Sequence, residues 1–269
     1  MRVVFLGTGT SIPATHHSPA GISVQAGDER FLFDAGPGTA QRLHAAGGSL
    51  FRLDRIFLTH YHVDHCLELV TILFALRIPQ PPVGSPSAAD TSSAARTVPP
   101  RSRTKPLVIY GPPGLRALYR QLNRAFHGWL EPRTYRLTLR ELGETTVRFR
   151  GATVTTLRMH HSTAALGYRL EAGGKRVAYS GDTDVCRNIV TLGRDTDLLI
   201  LECSHPDERK VAGHLTPTEC GRIAAQARCR HLVLTHFYPV FRGYDIRGRV
   251  RRAFRGRLTL ARDFQRLTV

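Results

Sequence analysis

Apolar and polar residues alternate in short bursts along the first third of the chain. Arg2–Leu6, Gly21–Gln25, Arg30–Phe33 and Arg55–Leu58 are β-like runs bounded by Gly, Pro or Asp, the punctuation expected of strands. The apolar spacing becomes helical over Thr39–Ala46 and Leu67–Arg77. From Pro79 to Pro106 the pattern stops. That stretch is Pro, Ser, Ala, Thr and Arg, with Val83 and Val98 as its large apolar residues and Asp90 as its one acid. Such a composition buries too little surface to order itself, so a flexible insertion is expected, whether idle or in contact with a substrate.

Regular patterning resumes with a strand at Leu107–Pro112 and a helix at Leu115–Phe126. Strands are predicted at Arg136–Leu139, Thr145–Arg150, Ala152–Arg158, Tyr168–Glu171 and Arg176–Tyr179. Leu198–Leu201 and His231–Leu234 are unbroken apolar-rich runs suited to strands buried on both faces. Thr216–Ala227 opens Thr-Pro-Thr-Glu, with Pro217 near an N-terminus, and reads as a helix. Strands followed by a helix occur twice over.

At 269 residues and 42% hydrophobic content the chain can build a sizeable core, and a single domain over residues 1–269 is expected. No apolar run approaches the ~18 residues of a membrane span. Four apolar residues precede Gly7, short of the ~7–15 of a signal-peptide core, which reads as the first strand of a cytoplasmic protein. The five cysteines (Cys66, Cys186, Cys203, Cys220, Cys229) are scattered and form no C-x-x-C pair, which argues against a disulfide framework and a thiolate zinc site. Formal charge is +17, which favours polyanionic partners such as RNA. Of the 38 basic residues 35 are arginine, a bias that composition alone could produce, and they concentrate at Arg242–Arg257, with seven in sixteen residues.

The candidate chemistry lies at Thr59-His60-Tyr61-His62-Val63-Asp64-His65, directly after the apolar run Ile56–Leu58. A strand ending there releases His60 and His62 to turn the same way, with Asp64 and His65 following. That offers two imidazoles to one metal, and a carboxylate and an imidazole to a second close by. Four side chains do not close two sites, so further ligands must come from elsewhere. His161, Asp182 and His236, each near the end of a predicted strand, are the candidates, with His160 a rival to His161.

This spacing resembles the metallo-β-lactamase superfamily, and most closely its ribonuclease Z-like phosphodiesterase branch. The resemblance runs from Val3 to about Pro239. It rests on Gly7-Thr8-Gly9-Thr10-Ser11-x-Pro13, Phe33-Asp34-Ala35-Gly36, the His60–His65 run, and five residues separating His161 from Gly167-Tyr168-Arg169. It continues through Ser180-Gly181-Asp182-Thr183, Glu202, Gly213-His214 and Leu234-Thr235-His236-Phe237. The resemblance implies an αββα sandwich and a dinuclear-metal hydrolase, with two Zn²⁺ or alternatively Mn²⁺. It places His60, His62 and His161 on one metal, Asp64, His65 and His236 on the other, and Asp182 between them. It makes Asp64, Glu202 and His214 catalytic, with Glu202 and His214 protonating the leaving oxygen. Asp34 then either orients a ligand imidazole or caps the turn before Ala35-Gly36. Attack by a hydroxide shared by the metals on an anionic phosphodiester is the implied reaction, and a homodimer the implied assembly. His62 stands where a diiron relative would carry Glu, which argues against redox chemistry.

Departures from the branch bear on the substrate. Its tRNA-processing members carry Gly-Glu-Gly-Thr-Gln after the early Asp, whereas this chain reads Gly36-Pro37-Gly38-Thr39-Ala40-Gln41. Val63 stands where Gly is common. The tRNA-gripping arm of that branch would fall between Arg169 and Ser180, where ten residues, Leu170–Tyr179, leave room for a hairpin. The expectation is therefore a small phosphodiester such as a cyclic nucleotide. Alternatives are a tRNA 3′-end endonuclease, a carboxyl-ester or lactone hydrolase, and a basic nucleic-acid-binding protein with a relic site. His16, His17, His44, His127, His205 and His231 match no ligand position, though His205 lies near Glu202.

Overall fold

Alternation along the first strand sets the layering. Val3 and Phe5 face one way, Val4 and Leu6 the other, and all four are buried, so that strand needs cover on both faces. The computed structural model, which describes residues 1–79, 102–161 and 164–269, supplies that cover with two sheets packed face to face and helices outside each.

The strands are β1 (Arg2–Gly7), β2 (Gly21–Ala26), β3 (Glu29–Phe33), β4 (Arg55–Phe57), β5 (Leu107–Gly111), β6 (Leu137–Glu141) and β7 (Thr145–Phe149). There follow β8 (Ala152–Met159), β9 (Ala165–Ala172), β10 (Lys175–Tyr179), β11 (Leu198–Glu202), β12 (His231–Thr235), β13 (Arg257–Leu260) and β14 (Arg266–Thr268). The helices are α1 (Thr39–Ala45), α2 (Val63–Cys66), α3 (Leu69–Arg77), α4 (Leu115–Ala125), α5 (Arg187–Gly193), α6 (Pro217–Ala227) and α7 (Ile246–Arg251). One seven-stranded sheet runs β14-β1-β2-β3-β4-β5-β6, the other β13-β12-β11-β10-β9-β8-β7. Pairing is antiparallel from β14 to β3 and parallel from β3 to β6. The second sheet repeats the scheme, antiparallel from β7 to β10 and parallel from β10 to β13.

Between the sheets lies an aromatic core in which Phe57 stacks on Tyr110 at 4.6 Å and meets Tyr168 edge-on at 5.2 Å. The Tyr168 hydroxyl donates to the Leu58 carbonyl at 2.6 Å, tying the second sheet to the chain just below His60. Outside the first sheet, α1, α3 and α4 contribute Leu43, Ile72, Leu76 and Leu115; outside the second, α5 and α6 contribute Ile189, Leu192, Ile223 and Ala224. This is the αββα sandwich. Helix α6 starts with a reciprocal cap, Thr216 with Glu219, and Pro217 in its first turn, as the sequence predicts.

Several elements differ from the expectation. The helix predicted from Leu67 begins at Leu69, as α3, and a separate turn of helix, α2, precedes it and carries Asp64 and His65. Helices α5 and α7 and strands β13 and β14 were not predicted, being three to seven residues long with little periodicity to read. The Arg-rich run folds as α7 and β13, where Arg249 pairs with Glu208 and Asp207 and Arg251 donates to the Gly256 carbonyl. These two side chains are bound within the fold. Most of the predicted insertion at 79–106 lies outside the described residues, but its end belongs to the fold. Arg103 is buried and donates to the carbonyls of Leu50, Phe51, Leu53 and Pro106. All five cysteines are free thiols. Among the described residues no helix is long and apolar enough to cross a membrane.

Candidate metal centre

Parallel strands of both sheets end at the same edge of the sandwich, and the functional side chains sit at those ends. Asp34 follows β3, His60 follows β4, Asp182 follows β10, Glu202 ends β11 and His236 follows β12. Ligand sites of open α/β sheets form at the carboxyl ends of strands for this reason. Two glycines let the loops close. A Cβ on Gly36 would lie 2.1 Å from the Asp64 carbonyl oxygen, and one on Gly181, whose φ is +57°, 2.6 Å from Thr59 Cβ.

The seven residues expected as ligands converge. Nitrogen and oxygen atoms of His60, His62, His161 and Asp182 lie within 4.8 Å of one another, as do those of Asp64, His65 and His236. Asp182 stands between the groups. Its Oδ2 is 3.7 Å from His60 Nε2 and 4.0 Å from His161 Nε2, while Oδ1 is 3.4 Å from His65 Nε2 and 3.5 Å from His236 Nε2. His160 is exposed, so the structure brings His161 into the cluster and leaves its neighbour out.

The far nitrogen of most of these imidazoles is held from behind. His65 Nδ1 donates to Asp34 at 2.8 Å, His161 Nδ1 to the Gly213 carbonyl at 2.9 Å, and His236 Nδ1 meets Ser204 Oγ at 3.0 Å. Asp34 also accepts from Thr59 N at 2.7 Å, Thr59 Oγ1 at 2.9 Å and the Tyr179 hydroxyl at 2.8 Å. Its carboxylate therefore orients His65. The amides of Ala35 and Gly36 go instead to the carbonyls of His65 and Ala20. Backing of this kind points Nε2 of these three rings inward.

Charge follows geometry. Burial alone would push the Asp182 carboxyl up, but His236 and His65 outweigh it and hold it well below the carboxylate range. Burial, then the charge of His65, presses the His60 imidazole well below its ordinary value, leaving its lone pair free. His214 Nδ1 lies 3.0 Å from Glu202 Oε1; burial opposes its proton, yet the Glu202 bond prevails and its pKa is raised. Glu202 is itself fixed by Thr183 N and the Ser204 hydroxyl. Cys66, whose thiol burial pushes up to about 12, is not among the residues that converge.

The donor set suits divalent metals. His60 Nε2 and Asp182 Oδ1 are buried without a hydrogen-bond partner. Pairs of ring nitrogens face each other at 3.1 Å (His65 and His236) and 3.2 Å (His62 and His161). Convergent nitrogens and an orphaned carboxylate oxygen are what a cation would satisfy. Sequence reasoning missed Ser204, Thr59 and Tyr179. Only Ser204 carried a local signal, its place two residues beyond Glu202 on an extended chain.

A family model described as a beta-lactamase superfamily domain matches residues 29–237. The ribonuclease Z of Streptomyces coelicolor is 30% identical over 293 aligned positions, covering 100% of this chain and 97% of that protein. Among solved structures, the short form of human tRNase Z aligns over 100% of this chain and 99% of its own, at 25% identity and a TM-score of 0.75. The metallo-β-lactamase fold protein YhfI from Bacillus subtilis, 23% identical, aligns over 99% and 98% with a TM-score of 0.78, a likeness of fold.

Proposed function

This chain belongs to the beta-lactamase superfamily, in its ribonuclease Z-like branch, and we propose that it is a divalent-metal-dependent phosphodiesterase that cleaves RNA, most specifically at the 3′ end of tRNA. The observation that carries the reading is the Glu202–His214 pair set against the His/Asp cluster, with His214 Nδ1 3.9 Å from Asp182 Oδ2. Two Zn²⁺ are proposed, with Mn²⁺ the alternative. His60, His62 and His161 would hold one and Asp64, His65 and His236 the other, with Asp182 a candidate ligand to either. Bound there, the metals supply Lewis acidity towards the phosphate and a lowered pKa for water.

The chain's own residues do the rest. Asp34, Gly213 and Ser204 keep the imidazoles of His65, His161 and His236 in the tautomer that presents Nε2 inward. Glu202 keeps a proton on His214, whose Nε2 makes no hydrogen bond among the described residues and is free to serve a leaving oxygen. Asp64, pulled below its ordinary range by its bond to His236 against the effect of burial, stays anionic.

The sequence alone ranked a small diester above RNA; similarity to ribonucleases Z over nearly their whole length favours the opposite order. One feature supports the small-substrate reading as second. Strands β9 and β10 are joined by Gly173-Gly174 alone, so no arm is built at that position.

Turnover of pre-tRNA, cyclic nucleotides and bis(p-nitrophenyl) phosphate should be measured side by side, with metal removed and restored. Position-specific pre-tRNA cleavage at physiological salt is expected. Hydrolysis of cyclic nucleotides without RNA cleavage would transfer the assignment to the second reading, and full activity after chelation would reject both.

A further inference from the structure

Two rings at the edge of the metal cluster are unused by the chemistry above. His205 and Tyr238 stack at 4.6 Å with planes 27° apart, and both are half-buried. Tyr238 stands edge-on to His236 at 5.9 Å and to His214 at 6.1 Å; His205 stands 5.8 Å from His214. Neither belongs to a hydrophobic cluster of the core. Among the described residues, the Tyr238 hydroxyl and both His205 ring nitrogens make no hydrogen bond. A tyrosine kept for packing would be buried deeper, and one kept for its hydroxyl would have a partner.

We propose that the His205–Tyr238 pair is a stacking platform for the nucleobase borne by the leaving side of the scissile phosphodiester, an inference that rests on the phosphodiesterase reading. His214 delivers its proton to the leaving oxygen, so whatever that oxygen carries must lie on the His214 side. These rings flank His214 there. Stacking on an aromatic face accepts every base, and each stacked base strengthens binding by about 5- to 150-fold. The platform therefore selects a nucleoside over a plain alcohol without reading sequence.

The test uses the metal-loaded enzyme hydrolysing methyl p-nitrophenyl phosphate. Inhibition by nucleoside 3′- and 5′-monophosphates is compared with that by ribose 3- and 5-phosphates. In the wild type the base should tighten inhibition about tenfold or more in one of the two series. Tyr238→Phe should keep that increment, and Tyr238→Leu should remove it while ribose phosphates inhibit as before. His205→Ala, which opens one side of the stack, should cut it severalfold and serves if Tyr238→Leu fails to fold. An increment absent from the wild type, retained in Tyr238→Leu, or lost equally in Tyr238→Phe would overturn the proposal. The series needs no RNA cleavage. Wild-type enzyme that hydrolyses small diesters but not pre-tRNA would refute the RNA assignment, while the base increment would still decide the platform.

Discussion

Asp34→Asn changes one charge at constant volume and tests how far the site depends on a residue that should touch no metal. Asp34 is fully buried, with Oδ1 accepting from Thr59 N and Oδ2 accepting from Thr59 Oγ1, His65 Nδ1 and the Tyr179 hydroxyl. An asparagine must point its amide nitrogen at one of these sets. Facing Oδ2's three donors is worse, so the nitrogen should take the Oδ1 position, where it meets the Thr59 amide and leaves that buried N–H unsatisfied. That costs about 1–3 kcal/mol, and the three remaining bonds lose their charge assistance. A stability loss of about 2–4 kcal/mol follows. Because His65 is then held by a neutral acceptor, metal affinity should fall about 10–100-fold. Denaturant unfolding of the metal-free protein reads the first quantity, and competition with a chromophoric zinc chelator reads the second. Lowered stability with zinc affinity within twofold of wild type would refute the orienting role and reduce Asp34 to a turn residue.

Three further outcomes are expected. His214→Ala should slow RNA cleavage by roughly 10²–10⁴-fold but affect a nitrophenyl ester far less, since that leaving group needs no proton; equal losses on both would reject the acid role. Ser204→Ala removes the hydroxyl between Glu202 and His236, so chelator competition should show zinc bound about 10-fold more weakly, with Ser204→Thr restoring most of it; a threonine variant no better than alanine would exclude the hydroxyl. Burial, then the charge of Arg257, lowers the His231 pKa to about 4 from an ordinary 6.5. The folded state thus resists this proton, and His231's contribution to stability, present above about pH 6.5, should be lost as pH falls towards 4. Unfolding of His231→Asn, whose amide can still meet Thr259 Oγ1, should lack that part of the slope, and a wild-type-minus-variant difference that is flat with pH would contradict the assignment.

What the sequence determined by itself was local. His60, His62, Asp64 and His65 were legible because ligand spacing along six residues is a property of the chain, and β11 and β12 because apolar runs of that length have few other places to go. Thr216, Pro217 and Glu219 announced α6 in the same way. Tertiary structure decided what depends on distant partners. Asp34 became an imidazole holder when β3 and α2 met, not from the turn it precedes. His161 entered the cluster and His160 did not, because the extended chain points neighbouring side chains in opposite directions and the sandwich covers one face. Ser204 and Tyr179 meet His236 and Asp34 across 32 and 145 residues of chain, and no spacing encodes such meetings. The arginines from Arg242 to Arg257 looked like a polyanion grip, yet several are bound within the fold. Hydrogen-bond donors and charges carry their local meaning only until folding sets which surfaces exclude water, and there partners across the sandwich outweigh neighbours in sequence.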